Sequence, residues 1–301
     1  MHVRKQTELT PCKEGPTSVA LGLFDGVHLG HQQVLQCALA GRTHGLAPAV
    51  FTFEQADGLV DTKEGGLIYS EEYKQYILEK MGFALLLAVP FETVRGMSPS
   101  EFVDTVLQGT LHAGQVVCGY DFRFGRDAGG DAALLRQLCE KRAIGVQVVP
   151  ALSVEGAPVS STRIRSLLRQ GKIEQANTLC GRPYGIYSTV LSGNRLGRVI
   201  GFPTINQRLQ VGRTLPRFGV YASETTVDGA VYRSITNIGV KPTVGSDTPL
   251  AETHILHFQG ELYGRRILVR LLRFLRPEQK FRDVEQLRLQ MQKDVSSVEE
   301  D

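Results

Sequence analysis

The sequence predicts a chain in two parts: an α/β segment built on a parallel sheet, then an antiparallel all-β segment that closes with a helix. Three observations lead there. The 301 residues exceed what a single domain of roughly 100–200 residues needs. Over residues 1–182, short apolar runs alternate with stretches of helical spacing, the pattern of a parallel sheet with helices on both faces. From Pro183 onward the runs are short, β-branched and separated by Gly or Pro, which points to an antiparallel barrel or sandwich. The expected domains are 1–182 and 183–301.

Each element has its own warrant. Residues 18–24 are apolar and bounded by Pro and Gly, hence a strand. Val34, Leu35, Ala38 and Leu39 recur at helical spacing, and Gly45 stands where a left-handed C-terminal cap belongs. Residues 49–53 read as the next strand. Ser98-Pro99-Ser100-Glu101 spells a capping box with Pro at the first helical position, so a helix is expected to run to about Leu111. Strands over 115–122 and 146–152 flank an Ala- and Leu-rich helix over 131–142. In the second part, strands are expected over 185–191, 219–223, 231–238, 251–258 and 266–274. Phe281, Val284, Leu287 and Met291 then form the apolar stripe of a final helix.

Lys and Arg total 34 against 31 Asp and Glu, a formal charge of +3. That balance gives no electrostatic reason to expect nucleic acid or a membrane surface as partner. A hydrophobic content of 42% excludes a disordered or collagen-like chain. Residues 183–301 hold 16 basic and 12 acidic groups, an excess that suits an anionic ligand or, more simply, a solvated surface. Cys12, Cys37, Cys118, Cys139 and Cys180 contain no C-x-x-C pair, so neither a disulfide framework nor a structural zinc site is expected. Residues 1–6 lack an apolar signal core, and the apolar stretch 84–89 is far too short to span a bilayer. A cytoplasmic protein, monomeric or weakly homo-oligomeric, is the expectation.

The first chemical constellation is Phe24-Asp25-Gly26-Val27-His28-Leu29-Gly30-His31, placed between the first strand and the first helix. Ligands of α/β sheets bind at the carboxyl ends of strands, near helix N-termini that attract phosphate. Gly26 and Gly30 let backbone approach a phosphate closely. His28 and His31 are three residues apart and face one ligand if the helix begins between them, where they would donate hydrogen bonds to phosphoryl oxygens as charge builds. A metal pair has no third ligand at a recognisable spacing. The competing reading is two surface histidines at a helix start.

Ser160-Ser161-Thr162-Arg163-Ile164-Arg165 opens a later helix. Hydroxyls at its cap and two arginines in its first turn make an anion clamp; since the macrodipole disfavours cations there, a polyphosphate between them would account for the placement. A plain capped surface helix is the alternative. Gly119-Tyr120-Asp121-Phe122-Arg123-Phe124-Gly125 follows another strand, with aromatics that suit a nucleotide or flavin pocket and equally a core.

In the second part, residues 193–206 form a glycine-punctuated loop ending in Pro203-Thr204-Ile205-Asn206. It is not a Walker loop, since no G-K-[ST] follows. Gly193, Gly197 and Gly201 still provide a flap able to fold over phosphates. The Thr204 hydroxyl and the Asn206 carbonyl are hard oxygen ligands suited to Mg²⁺. Glu252 lies in Ala251-Glu252-Thr253-His254-Ile255-Leu256-His257-Phe258; on a strand it shares a face with His254, Leu256 and Phe258. A glutamate beside an apolar set is either paired or functional, and a kinase needs a carboxylate near the acceptor hydroxyl.

Together these motifs resemble the bacterial bifunctional riboflavin kinase/FAD synthetase family over nearly the whole chain. G-x-F-D-G-x-H-x-G-H and S-S-T-x-I-R resemble its adenylyltransferase module, a Rossmann-like nucleotidyltransferase; alone they specify only that superfamily. The likeness implies that Gly22, Phe24, Asp25, His28, Gly30 and His31 contact ATP phosphates, with the two histidines at the chemistry. It matches Asp121 to an Asn/Asp position beside the nucleotide, and Ser161, Thr162, Arg163 and Arg165 to a second phosphate contact. G-x-x-x-G-F-P-T-x-N, G-V-Y-A (219–222), N-I-G-x-x-P-T (237–243), E-T-H-I-L-x-F and L-Y-G (262–264) resemble the riboflavin kinase module in order. That implies a six-stranded barrel, Thr204 and Asn206 as magnesium ligands, and Glu252 as catalytic base.

The implied reactions are consecutive. ATP phosphorylates riboflavin to FMN and leaves ADP; a second ATP adenylylates FMN to FAD and releases pyrophosphate. Only the first must remove a proton from an alcohol, because a phosphate monoester with a second pKa of about 6 is already an anionic nucleophile at neutral pH. One departure stands out: the family usually has F-D-P-H-P where this chain reads Phe53-Glu54-Gln55-Ala56-Asp57. It leaves open a monofunctional riboflavin kinase whose first domain is weakened or regulatory. Two rivals are a different nucleotidyltransferase, which leaves P-T-x-N and E-T-H-I-L without account, and a non-catalytic flavin-binding protein.

Overall fold

The computed structural model describes residues 1–5, 9–54, 66–192, 197, 201–210, 212–240 and 248–299. By packing, the described residues fall into two compact units, one from 1–60 and 74–160, the other from 61–73 and 161–301.

The first unit is built on a six-stranded parallel sheet: β1 (His2–Lys5), β2 (Thr17–Leu21), β3 (Ala47–Phe53), β4 (Leu85–Val89), β5 (Ala113–Gly119) and β6 (Gly145–Val149), in the order β1-β4-β3-β2-β5-β6. The run 84–89, read in the sequence only as too short for a membrane, is the interior strand β4. All five of its residues are buried, as expected of a parallel strand covered on both faces. The edge strand β1 has a largely exposed, polar sequence and no apolar alternation to announce it.

Helix α1 (Leu29–Ala40) follows β2, and α2 (Glu71–Met81) precedes β4. Gly45 does take the left-handed conformation (φ 74°), although it caps a short 3₁₀ turn, Gly41–His44, that extends α1. The Ser98 capping box forms: the Ser98 hydroxyl accepts from the Glu101 N–H at 3.2 Å, and the Glu101 carboxylate accepts from the Ser98 N–H at 2.7 Å. The helix it starts continues as a π-helix over Phe102–Thr110, with the Leu111 N–H donating to the Val106 carbonyl. Asp131 caps the helix Ala132–Glu140 through the Leu134 N–H. Leu21, Phe51, Leu87, Val106 and Leu107 lie in the core against one face of the sheet.

The second unit is a closed six-stranded antiparallel barrel. Its strands are β9 (Tyr184–Leu191), β10 (Thr204–Arg208), β11 (Gly219–Val227), β12 (Ala230–Val240), β13 (Pro249–Ile255) and β14 (Arg266–Arg276), ordered β10-β13-β12-β11-β14-β9. Ser153–Val154 and Ala157–Pro158 form the intervening hairpin, β7 and β8, in the first unit. Closure decides between barrel and sandwich, which sequence periodicity leaves open. Inside, hydroxyls replace the expected apolar filling: Ser223 bonds Thr236 (2.8 Å), Thr236 bonds Thr253 (2.9 Å) and Thr225 bonds Ser234 (2.7 Å), all fully buried. Pairing each hydroxyl with another keeps them from being orphaned.

The outer face carries an apolar patch, Val220, Ala222 and Ile235, which meets Val298 and Val295 of the last helix (Val284–Glu299). Arg233 and Arg273 reach from the barrel to the carbonyls of Val298, Glu299 and Ser297, which places cations at a helix C-terminus, where they are favoured.

Candidate active sites

In the first unit the chain runs from β2 outward to β3 on one side, and β5 lies on the other side of β2. The carboxyl ends of β2 and β5 therefore frame a topological switch point, where α/β sheets bind ligands. The F-D-G-x-H-x-G-H segment leaves β2 at this place through a tight 3₁₀ turn, Asp25–Val27. Phe24 (φ 52°), Gly26 (φ 79°) and Val27 (φ 39°) are all in the left-handed region, costly for Phe and especially for β-branched Val. The turn buries Phe24, Asp25 and His28.

His28 is the N-cap of α1, and its Nδ1 accepts the His31 backbone N–H at 3.3 Å. The two imidazoles are stacked with centroids 3.6 Å apart, and the Phe24 ring meets His31 edge-on at 5.5 Å. His31 Nδ1 is buried and has no hydrogen-bond partner among the described residues. Burial, then the nearby His28 ring and the Lys74 ammonium, hold the His31 imidazole well below the ordinary histidine pKa. A Cβ on Gly30 would stand 3.3 Å from His28 Cε1, and one on Gly22 would stand 3.0 Å from the Phe24 ring; both glycines keep space that the two rings use. From the end of β5, Asp121 is exposed, with its Oδ1 3.1 Å from where a Cβ on Gly119 would lie.

Ser161, Thr162, Arg163 and Arg165 open the helix Ser161–Gln170 of the second unit. Arg165 is buried, and its Nε donates to the Gly66 carbonyl at 2.9 Å.

The barrel builds its own cleft, of about 290 Å³, between its outer face and the last helix. Antiparallel register lays one row of residues across five strands: Asn206, Glu252, Asn237, Val220 and Arg276. The row beside it runs Thr204, His254, Ile235 and Ala222. Directly opposed residues share a face, so Glu252 stands between two asparagines. The His254 ring meets the Pro203 carbonyl at 2.8 Å and the edge of Phe202, and so fixes the chain just before Thr204. Gly197 also lines the cleft; the Phe202 N–H donates to its carbonyl at 2.8 Å, and any Cβ would stand 2.4 Å from the Phe202 oxygen. The far wall carries a buried ion pair: the Arg276 guanidinium meets Asp294 of the last helix at 2.7, 3.0 and 3.2 Å.

Comparison with known proteins decides the family. A family model described as FAD synthetase matches residues 11–163, and one described as riboflavin kinase matches residues 180–300. A bifunctional riboflavin kinase/FMN adenylyltransferase of Listeria monocytogenes is 37% identical over 92% of this chain and 89% of its own. That of Bacillus subtilis is 35% identical over 98% and 95%. The chain belongs to the bifunctional riboflavin kinase/FMN adenylyltransferase family.

It is an enzyme chain carrying both domains of that family, which supports the bifunctional reading over the monofunctional one. The family member of Escherichia coli strain K12 is 32% identical over 94% of this chain and 91% of its own. A crystal structure described as a macrolide-efflux protein from Streptococcus pneumoniae shares the fold, with a TM-score of 0.86 and 27% identity over 99% of this chain and 98% of that one.

Within this family frame, the described residues bring the two halves of the first motif together, His28 with His31 and Phe24, and bring Glu252 beside Asn206 with Thr204 and Gly197 lining the same cleft. The strand that carries Glu252 ends at Ile255, so Phe258 leaves its face and packs on Tyr232 instead. Gly201 lies at an exposed turn (φ 87°) and Gly193 falls outside the described residues, as do Gln55, Ala56 and Asp57. Sequence reasoning missed Lys74, Arg276 and Asp294. For Lys74 a signal existed, since it stands three and four residues before the buried Ile77 and Leu78, where an amphipathic helix keeps apolar residues.

Proposed function

We propose that the two sites run the two reactions in sequence, each with the residues its chemistry demands. In the barrel cleft, riboflavin presents its 5′-hydroxyl to Glu252, which takes the proton as the oxygen attacks the γ-phosphorus of ATP; FMN and ADP form. Asn206 and Asn237, opposite Glu252 on both neighbouring strands, orient that carboxylate and the substrate oxygens. The observation that carries this reading is the register row that sets Glu252 in a cleft large enough for a ring system.

The donor set fits a hard cation. Thr204 and Asn206 stand on one face of β10, beside the Glu252 strand, and Mg²⁺ takes few protein oxygens besides phosphate and water. Bound there, Mg²⁺ would offset the negative charge of the ATP tail. Gly197 and Gly201 belong to the phosphate-facing flap.

At the switch point of the sheet, the FMN phosphate attacks the α-phosphorus of a second ATP and pyrophosphate leaves. No base is needed, so the work is positioning and charge stabilisation. The orphaned His31 Nδ1 and the close-packed Gly22, Phe24, Asp25, His28 and Gly30 serve that role, and Asp121 sits beside the nucleotide. Ser161, Thr162, Arg163 and Arg165 retain the phosphate-contact role their motif implies. The adenylyltransferase domain is taken as 1–182 and the kinase domain as 183–301. A cytoplasmic setting is supported by free cysteines at all five positions; among the described residues no helix is long and apolar enough to cross a membrane.

Chromatographic product analysis tests the whole scheme. Riboflavin with ATP–Mg²⁺ is expected to yield FMN and then FAD, and FMN with ATP–Mg²⁺ to yield FAD and pyrophosphate. FMN accumulating from riboflavin with no FAD in the first assay, and supplied FMN left unconverted in the second, would overturn the adenylyltransferase half.

A further inference from the structure

Lys74 is a buried cation that neither the motifs nor the reaction scheme uses. It is 3% exposed, on α2 of the first unit, and an ammonium on the apolar side of a helix is costly unless something there uses it. Its Nζ lies 3.4 Å from the Leu23 carbonyl and 3.5 Å from Thr52 Oγ1. The Thr52 hydroxyl donates to the same carbonyl at 3.1 Å. Leu23 immediately precedes Phe24, where the backbone enters its left-handed turn. One strand-borne and one helix-borne group, Thr52 and Lys74, thus converge on the peptide that launches the phosphate-binding segment.

The structure also sets this ammonium among the charges around His31. Those groups are His28, at the cap of the same helix, and Lys74, from α2; Asp25, from the turn, is buried nearby in sequence. His31 Nδ1 remains buried and without a partner among the described residues, an arrangement that awaits an acceptor or donor from a ligand.

We propose that Lys74 is a positioning residue of the adenylyl-transfer site: its ammonium pins the Leu23 carbonyl at the entrance of the Phe24–Val27 turn and keeps positive charge beside His31 for an incoming phosphate. The proposal rests on the reading of that site as the one that adenylylates FMN. Two buried cations side by side repel, so before nucleotide arrives His31 is a neutral imidazole. Phosphate charge reverses the balance, and proton uptake at His31 accompanies ATP binding.

The test uses the full-length chain, with Lys74→Gln (polar contacts kept, charge removed), Lys74→Arg (charge kept) and Thr52→Val. The His31 ring is titrated by NMR without nucleotide, and FAD formation from FMN and ATP–Mg²⁺ is followed against pH. Thermal melts of the same preparations are the folding control, and FMN formation from riboflavin is the control for the barrel site. In Lys74→Gln the His31 midpoint is expected to rise by about one pH unit, FAD formation to fall about tenfold, and the alkaline limb of its pH profile, where the imidazole loses its proton, to move up with the midpoint. Lys74→Arg restores most of both, and Thr52→Val slows FAD formation without moving the titration.

An unmoved His31 midpoint in Lys74→Gln overturns the inference, as does a Thr52→Val shift as large as that of Lys74→Gln. A wild-type chain that makes no FAD would overturn the assignment of the site instead, while the titration still decides the role of Lys74.

Discussion

The two sites are assembled in opposite ways. The adenylyl-transfer site is nearly one stretch of chain: Phe24, Asp25, His28, Gly30 and His31 fall within eight residues, and a strained turn with a helix cap brings them together. The kinase cleft is assembled by register. Asn206, Glu252, Asn237, Val220 and Arg276 come from five strands and meet only because the barrel closes with that pairing. A local site keeps its geometry as long as one turn holds. A register-built site depends on the whole barrel and on the helix laid over it, so damage to distant packing should reach the kinase and leave the adenylyltransferase intact.

The sharpest probe of this contrast is Glu252→Gln. The amide keeps the shape and the neighbours of the carboxylate but cannot accept the proton, so FMN formation from riboflavin should fall by about 10²–10⁴-fold. FAD formation from supplied FMN should be unchanged, and riboflavin binding, read by fluorescence quenching, should survive. Turnover within a few-fold of wild type would remove Glu252 from the chemistry and with it the reading of the register row.

Next in size is Arg276→Met. Arg276 and Asp294 are both largely buried and joined by three contacts, with Gln290 adding a fourth to the same carboxylate at 2.9 Å. Removing one partner of such a pair leaves an uncompensated buried charge and typically costs about 3–5 kcal/mol. The expected outcome is a lower melting temperature and loss of kinase activity. Asp294→Asn in the same chain should recover part of the stability, since it removes the stranded charge. A double variant no better than the single one would show that the ion pair does not hold the helix to the barrel.

The same contrast explains what the sequence reveals. The strand–helix alternation, the Ser98 capping box, the left-handed Gly45 and the placement of F-D-G-x-H-x-G-H between strand and helix are all local signals, and the structure bears each out. Glu252 is visible as a carboxylate in an apolar strand, yet nothing local says that Asn237 or Arg276 will stand in its row. Their pairing spans tens of residues and is fixed by closure. The polar barrel interior is hidden for the same reason: Ser223, Thr225 and Thr236 alternate as solvent-facing residues would, and only cross-strand hydroxyl pairing permits their burial. Strand β4 was hidden by the absence of alternation, since a strand covered on both faces has none.

The smallest and most local prediction is Gly30→Ala. Gly30 lies in the first turn of α1, and an added methyl would stand 3.3 Å from His28 Cε1 and 3.4 Å from Nδ1, tighter than ordinary contact. The Val159 carbonyl, 3.9 Å away, leaves room on the other side, so the helix itself should tolerate the change; Ala is even the better helix former. What must move is the His28 ring, and with it the 3.6 Å stack on His31 and the Nδ1 cap of α1. FAD formation from FMN should drop several-fold through kcat, because a displacement of a few tenths of an ångström at a positioned group weakens transition-state contacts more than ground-state binding. The kinase rate and the melting temperature should stay at wild-type values. If kinase and adenylyltransferase fall together, the first site is not the self-contained unit its sequence suggests, and its geometry depends on packing well beyond the eight residues that spell it.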